Sequence, residues 1–458
     1  DSERGGGAEP SSRMADWLGG QCSVVRRAAA IVRSSSRVTR GRTTSPIKFN
    51  TRARRWDVSR TAKGGGRGVV RARQRKNRRM AATKGSQEGT QEGISTPMRC
   101  AILGGGTFAQ NTYVPILEGD LWKFSKIAVD AVWSRSEETA KTLSLSMWHN
   151  KAEVHFGDAG LDAIIGSDSI EAVFIVLPPR PALEITLRCL RAGKHVLGEK
   201  PVGTNVEEIE AAIREHVGLG QWRPIWGIAE NYRFEETYEF VSKIVAGLGG
   251  VITLSLNASC ALSDSSPYWH TPWRHSTVEL PEVDGIGIGY LFEGPVHFMA
   301  AIRKILGQEA CSGARVTASA TLMQQNRELK QHDTISGFLR FDTDAGSSCA
   351  CAVNICYAAY KPRVQFVITC RRGNIVIERV PGKYVISGDG VEPLMHEIPF
   401  NGVDREISYF IDAVRKHKGR EAPVEDLEGE CSAREALLDV QHLLALFRSA
   451  STSQVVTL

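Results

Sequence analysis

No run of eighteen apolar residues occurs in this 458-residue chain, which excludes a membrane-spanning helix. No charged-then-apolar leader of the secretory type is visible either. None of the ten cysteines forms Cys-x-x-Cys, so their spacing offers no disulfide framework. Cys100, Cys189 and Cys370 lie in apolar strand or helix patterns, and Cys349 and Cys351 should point to one face of a strand. They read as buried free thiols in a reducing compartment. The eleven histidines are scattered without ligand spacing, so no metal site is expected. Acid is scarce at one end only. Residues 1–97 hold 22 Lys and Arg against 7 Asp and Glu, and the remainder holds 35 against 44. The net charge of +6 therefore belongs to the N-terminal stretch. The acidic remainder is expected to bind neither nucleic acid nor a membrane.

Residues 1–97 begin with Asp1 and carry Gly64-Gly65-Gly66, Ser34-Ser35-Ser36 and the basic run Arg71 to Arg79, with no sustained apolar period. Such a stretch cannot bury enough surface to offset its ordering entropy, so a disordered tail is expected, with residues 1–79 dispensable for folding. Three readings stay open. It is translated leader upstream of a start at Met80, an Arg- and Ser-rich organelle transit peptide, or an RNA- or partner-binding arm. The expected location is cytoplasmic, or plastid or mitochondrial if the transit reading holds.

From residue 98 to about 230 the chain alternates two patterns. Apolar runs at 99–103, 127–133, 172–177, 195–198 and 225–229 are short and bounded by breakers, as strands buried on both faces are. Between them lie helical patterns. One places Leu183, Leu187 and Leu190 on a face and stops at Gly193; another opens on a Thr204–Glu207 capping box. This alternation predicts an α/β domain over 98–230, a doubly wound parallel sheet of Rossmann type.

The first strand runs into Gly104-Gly105-Gly106-Thr107-Phe108-Ala109, a G-x-G-x-x-A turn that opens a helix. Gly104 makes the turn, Gly106 lets a dinucleotide pyrophosphate approach the backbone, and Ala109 permits close helix–sheet packing. The second strand ends at Ser134-Arg135, with no acid to repel a 2′-phosphate. A hydroxyl and a guanidinium there favour NADP, with NAD the alternative. The competing reading makes Arg135 a solvated charge and gives the ribose to Glu137. Leu177-Pro178 and Glu199-Lys200-Pro201 end later strands on the same edge, so Leu177, Pro178, Glu199 and Lys200 join the expected cofactor contacts.

The second half, 231–458, is expected to form an α+β domain with a large, open, mostly antiparallel sheet. Strand-like runs fall at 250–259, 315–323, 333–342, 348–356, 363–371 and 374–379, with a hairpin at Arg372-Gly373-Asn374. Helical patterns fall at about 236–247, 296–306, 405–417 and 431–448. Two constellations carry chemistry. Glu293 and His297 are four residues apart and share a face if one helix contains both. Glu230-Asn231-Tyr232-Arg233 ends the sixth strand and faces the cleft mouth. Trp273 and Arg274, in the loop Trp269 to Arg274, are a candidate cover for a polar substrate.

The order of these segments resembles the Gfo/Idh/MocA oxidoreductases, the superfamily of glucose-fructose oxidoreductase and inositol dehydrogenase. The resemblance covers about 98–450, including Ser432 to Leu437. It is nearest to a plant and fungal branch with Ala-Glu-Asn-Tyr-Arg-Phe after the sixth strand. It implies an NAD(P)-dependent dehydrogenase or reductase acting on a carbinol of a sugar-, inositol- or diol-like molecule. Lys200 then lies near the nicotinamide and the reacting oxygen. His297 is the acid/base and Glu293 its supporting carboxylate, while Asn231, Tyr232, Arg233, Trp273 and Arg274 contact substrate. The chain departs from the family's pattern at Glu293 (Glu for Asp), at Pro295 (Pro for Gly) and at Ala182. Pro295 also removes a backbone donor, so the catalytic helix is open to a different start. A cofactor sensor without turnover is the other reading, and pairing into a homodimer through the open sheet is a further expectation.

Overall fold

The computed structural model describes residues 96–458, less 124–125, 150, 263–268, 270–281, 284–285, 288, 308–310, 312, 330, 344–345 and 391–393. The N-terminal stretch 1–95 and the candidate residues Trp273 and Arg274 lie outside the described residues.

Six parallel strands form the first sheet: β1 (Met98–Leu103), β2 (Ile127–Ser134), β3 (Glu153–Phe156), β4 (Ala172–Ile175), β5 (His195–Glu199) and β6 (Trp226–Ala229). Their order is β3-β2-β1-β4-β5-β6, a doubly wound sheet whose order reverses between β1 and β4. Cys100 to Leu103 and Ala172 to Ile175 are fully buried, as strands covered on both faces must be. The sequence pattern omits β3, a half-exposed edge strand of four residues. The helix Val206–Gly218 is capped by Asn205, which accepts from the Glu208 amide at 2.9 Å, and not by the expected Thr204. Asn205 is the last residue with extended backbone before the helix, and that geometry selects the cap. The helix Pro179–Arg191 buries Leu190 with Ile185 and Cys189, and Gly193 follows in a left-handed conformation as its stop.

The second sheet has nine strands. In chain order they are β7 (Val251–Ala261), β10 (Arg315–Met323), β11 (Thr334–Asp342), β12 (Ser348–Cys356), β13 (Ala358–Cys370), β14 (Gly373–Val380), β15 (Lys383–Asp389), β16 (Leu394–Pro399) and β17 (Val456–Thr457). The short β8 (Glu282–Val283) and β9 (Ile286–Gly287) pair separately. The order β16-β15-β14-β13-β7-β12-β11-β10-β17 is antiparallel throughout except for the parallel pair β7–β12. Side chains alternate. On β11, Ile335, Leu339 and Phe341 are buried, while Phe338 on the other face is 62% exposed. Cys349 and Cys351 share the buried face, with their sulfurs 3.8 Å apart.

The inner face is covered by three helices, Glu236–Gly247, Val296–Leu306 and Ala433–Thr452, in one core with the helices of the first sheet. The helix Ala433–Thr452 joins the two halves. Its Leu443 and Phe447 lie in the same core as Ile213 and Trp226. A further helix, Gly402–Gly419, sends Ile407, Phe410, Ile411 and Val414 onto the other side of the first sheet, where the Phe410 and Phe174 rings meet at 5.8 Å. A buried ion-pair web ties the same joint: Arg233 and Arg303 both reach Asp439 and Glu435. The strand ends of the first sheet are thereby fixed against the second. No helix among the described residues is long and apolar enough to cross a membrane.

Candidate active site

The carboxyl ends of β1, β2, β4, β5 and β6 make one rim, where Gly104 to Ala109, Ser134, Arg135, Leu177, Pro178, Glu199 and Lys200 lie. At β1, Gly104 turns the chain with φ +118°, and its amide donates to the Trp133 carbonyl at 2.8 Å. A Cβ on Gly104 would sit 2.1 Å from the Val176 carbonyl oxygen, and one on Gly105 would sit 2.8 Å from Thr139. Gln110 braces the turn by donating to the Gly105 carbonyl at 2.8 Å. Gly106 differs: a Cβ there meets nothing within 4 Å. Gly106 and Thr107 are exposed, Phe108 is half-buried and Ala109 is fully buried. An open glycine backbone at a helix N-terminus is a cradle for the pyrophosphate of a dinucleotide, so the turn fits that group.

This difference is testable. Gly106→Ala should leave the melting temperature unchanged and weaken dinucleotide binding, because its methyl occupies only the open side. Gly104→Ala should destabilise the fold itself, because it strains a left-handed position and strikes backbone. Calorimetric melts and dinucleotide titration of both variants would show it; equal effects of the two would refute the assignment.

At the tip of β2, Ser134 is buried and Arg135 is exposed. Ser136 caps the next helix, Glu137–Ser146, accepting from the Thr139 amide, and Glu137 pairs with Lys141 at 2.6 Å. After β4, Leu177 and Pro178 are half-buried, and Pro178 caps the helix that follows. At the end of β5, Glu199 accepts from the Tyr113 hydroxyl at 2.8 Å. Burial pushes the Glu199 carboxyl up to about 7, with the charges of Glu230 and Glu293 adding and Lys200 and Tyr113 opposing. Tyr113 reaches it from a π-helical turn, Ala109–Tyr113, in the helix that the glycine turn opens. Such turns recur at functional sites.

Lys200 follows. Its Nζ lies 3.4 Å from the Glu293 carbonyl and 3.8 Å from Glu293 Oε1, and its side chain is 15% exposed. Glu293 ends a short helix, Gly289–Glu293, and a new helix begins at Val296. Gly294 and Pro295 stand between them. Gly294 lies hard against Tyr357, where a Cβ would fall 1.6 Å from the hydroxyl oxygen. Glu293 and His297 are therefore not one turn apart on one helix, and the pairing expected from their spacing is not formed. Glu293 faces Lys200 instead.

The partner of His297 is Glu230, 67 residues upstream, with Nδ1 and Oε1 2.6 Å apart. Glu230 is 1% exposed and also accepts from the Tyr232 amide at 3.1 Å. Burial raises the Glu230 carboxyl, but His297, Arg233 and Lys200 outweigh it and hold it below its ordinary pKa. Burial holds His297 below its ordinary value; Lys200 and Arg379 act the same way, and Glu230 opposes them. Ionised Glu230 and neutral His297 follow. Nδ1 carries the proton that Glu230 accepts, and Nε2 keeps its lone pair.

The other members of the Glu230 segment divide. Asn231 is half-buried at the start of a four-residue helix, Asn231–Phe234. Tyr232 stacks on the His297 ring, with centroids 4.7 Å apart and planes 19° apart, and its hydroxyl accepts from Arg379 at 2.7 Å. Burial lifts that hydroxyl to about 12. Arg233 departs from the expected substrate contact. It is 5% exposed, and its two terminal nitrogens are engaged by Glu435 and Asp439. Tyr113 and Arg379 border the site although the sequence pattern does not single them out, and Glu230, placed at the cleft mouth by that pattern, is not paired there with His297. No local spacing marks them, because each reaches the rim from a different element.

The strand order and the glycine cradle are those of a Rossmann-type dinucleotide-binding domain. Residues 98–220 match the Gfo/Idh/MocA family model, described as oxidoreductase family, NAD-binding Rossmann fold. A dehydrogenase of Fusarium mangiferae is 28% identical over 346 residues, covering 71% of this chain and 92% of that protein. A dTDP-3,4-didehydro-2,6-dideoxy-alpha-D-glucose 3-reductase of Actinomadura kijaniata is 32% identical over 124 residues, covering 26% of this chain and 34% of that protein. Among solved structures, an oxidoreductase of Thermotoga maritima shares the fold with a TM-score of 0.62 at 24% identity, over 79% of this chain and 98% of that one.

Proposed function

We propose that the protein exchanges hydride between a nicotinamide dinucleotide, NADP in preference to NAD, and a carbinol carbon of a polyhydroxylated sugar-, inositol- or diol-like molecule. One observation carries the reading. A neutral imidazole locked by Glu230 and an ammonium held by Glu293 stand on the same strand-end rim as the glycine cradle, both partly exposed. The dinucleotide supplies or accepts the hydride when it is bound.

The chain's own residues move the proton and hold the oxygen. His297 Nε2 takes the hydroxyl proton as the alkoxide develops, and gives it back in the reducing direction. Glu230 fixes the tautomer and stabilises the imidazolium that forms. Lys200 stabilises the developing oxyanion, and Glu293 holds the ammonium in place. Tyr232 packs flat on the imidazole and keeps its ring plane, with Arg379 anchoring the hydroxyl. The ketosugar named for the Actinomadura relative supports the substrate class.

Cofactor choice gives the direct test. Arg135 is exposed at the β2 tip and residues 132–136 hold no acid, which supports a guanidinium pairing with a 2′-phosphate. Titration should show tighter NADP(H) than NAD(H) binding, and Arg135→Ala should lose NADP(H) affinity selectively. Equal affinities in wild type would overturn the preference. For the chemistry, a screen of sugars, inositols and diols should find turnover by nicotinamide absorbance. If no member turns over while one of them changes dinucleotide affinity, the enzyme reading is wrong and a sensor remains.

A further inference from the structure

The amino end of the first sheet, opposite the rim that carries Lys200 and Glu230, holds a polar cluster that the hydride chemistry does not use. A cavity of about 70 Å³ lies there between Arg223, Trp226, Glu428 and the opening residues of the helix Ala433–Thr452. Trp226, the first residue of β6, is 1% exposed, and its indole N–H has no acceptor among the described residues. Arg223 is 4% exposed. Its terminal nitrogens donate to Glu425 at 2.9 Å and to the Gly220 carbonyl at 3.4 Å, but its Nε–H is buried and has no acceptor among the described residues. Two buried donors on one cavity are thus unmatched, which is costly unless something accepts from both. The helix adds a third feature. It is twenty residues long, its first-turn N–H groups have no acceptor within the helix, and the positive end of its dipole lies at this cavity. Ser432 satisfies one of those groups, the Glu435 amide, at 3.3 Å.

We propose that this cavity binds one tetrahedral inorganic oxyanion of the sulfate or phosphate kind, which accepts from the Trp226 indole and the Arg223 Nε–H and lies against the N-terminus of the helix Ala433–Thr452. The space admits such an ion, or a few waters at about 10–15 Å³ each. It is far below the roughly 300 Å³ or more that an organic ligand needs.

Charge favours the ion over water. Arg223 and Arg434 are cations on the lining, and the helix contributes roughly half a positive charge. Two acids oppose them. Glu425 is 59% exposed and already paired with Arg223. Glu428 is buried, and burial pushes its carboxyl up to about 7; Glu425 adds to this, while the Trp226 amide, Arg223 and Arg434 oppose it. Burial holds the His216 imidazole down to about 4, so it is neutral. Tyr409 and Cys431 feel the Glu428 charge as well, and both stay protonated. The lining is therefore net positive near neutral pH, and more so when Glu428 takes up a proton. An ion here also braces the helix whose Glu435 and Asp439 hold Arg233 and Arg303.

The site does not depend on the oxidoreductase reading, and its tests need no substrate. In labelled-tryptophan NMR of the full protein, the Trp226 indole N–H resonance, assigned by its loss in Trp226→Phe, should shift saturably with sulfate. An equal ionic strength of a bulky organic sulfonate should not move it. Trp226→Phe keeps an aromatic ring in place and, by calorimetric titration, should bind sulfate about tenfold more weakly, as loss of one hydrogen bond to a charged group implies. Arg434 is exposed, so Arg434→Gln should weaken sulfate binding without lowering the melting temperature. A neutral Glu428 favours the anion. Sulfate, whose own charge is fixed in this range, should therefore bind more tightly as pH falls through about 7. Glu428→Gln should keep the tighter affinity and lose the pH dependence. Gly106→Ala should leave the Trp226 shift unchanged, because the dinucleotide cradle lies at the other end of the sheet. Absence of a saturable sulfate shift, or an equal shift from the sulfonate, would mean that the cavity holds water alone and would overturn the proposal. So would a sulfate affinity that neither Arg434→Gln nor Glu428→Gln alters.

Discussion

Replacing His297 by alanine is expected to lower kcat/KM by about 10²–10⁴-fold, while dinucleotide affinity stays close to wild type. In the proposed role the imidazole contributes when the hydroxyl proton moves, so its loss should be felt in the transition state and not in binding. Lys200→Met should act in the same range through the developing oxyanion. The double variant should fall far short of the product of the two losses, because both groups are proposed to serve one oxygen. Glu230→Gln should do more harm than Glu293→Gln. Glu230 sets the imidazole tautomer through a 2.6 Å bond, whereas the Glu293 carboxylate stands 3.8 Å from the ammonium, which also has the Glu293 carbonyl. Stopped-flow turnover beside fluorescence titration of the dinucleotide separates the two quantities. Turnover that survives His297→Ala would sink the acid/base assignment and move it to Tyr232, the ring stacked on it.

The parts of this site that were legible in the sequence are those built within one element. Buried parallel strands appear as short apolar runs because both faces are covered, as Cys100 to Leu103 show. The glycine turn is readable because Gly104 needs its positive φ and Gly106 its open side. The alternating strands β10 to β14 announce themselves by period two. The exceptions have physical causes. β3 is four residues long and half exposed, so it leaves little pattern. Glu293 and His297 have the spacing of a helical pair, but Gly294 is forced against Tyr357 and Pro295 cannot continue the preceding helix, so the spacing misleads. The true partner of His297 comes from another strand end, and no local rule links residues 67 positions apart. Arg233 is the same case. A cation beside Asn231 and Tyr232 reads as a substrate contact until partners 202 and 206 residues downstream are seen to take it.

Those partners set the second large effect. Asp439 is 1% exposed and receives Arg233 on one oxygen and Arg303, at 2.7 Å, on the other. Glu435 bonds both guanidiniums from the rim of the same helix, Ala433–Thr452, and Arg303 also donates to the Glu435 carbonyl at 2.8 Å. Arg233 comes from the segment after β6 that carries Glu230 and Tyr232, and Arg303 from the helix that carries His297. The web therefore clamps the two elements that present the Glu230–His297 pair onto the helix that spans both sheets. Asp439→Ala leaves two buried guanidiniums with one partly exposed carboxylate, and should cost about 3–5 kcal/mol of stability, as breaking one member of a buried ion pair does. Urea denaturation would show it as a lowered midpoint at unchanged slope. Asp439→Asn keeps the shape and an acceptor and should cost less. In the surviving folded fraction, the loosened clamp should also disturb the Glu230–His297 contact, so the His297 titration midpoint should move. A variant whose denaturation midpoint equals wild type would show that the web contributes no net stability. A destabilised variant with an unmoved His297 midpoint would show that the clamp holds the fold but does not position the site.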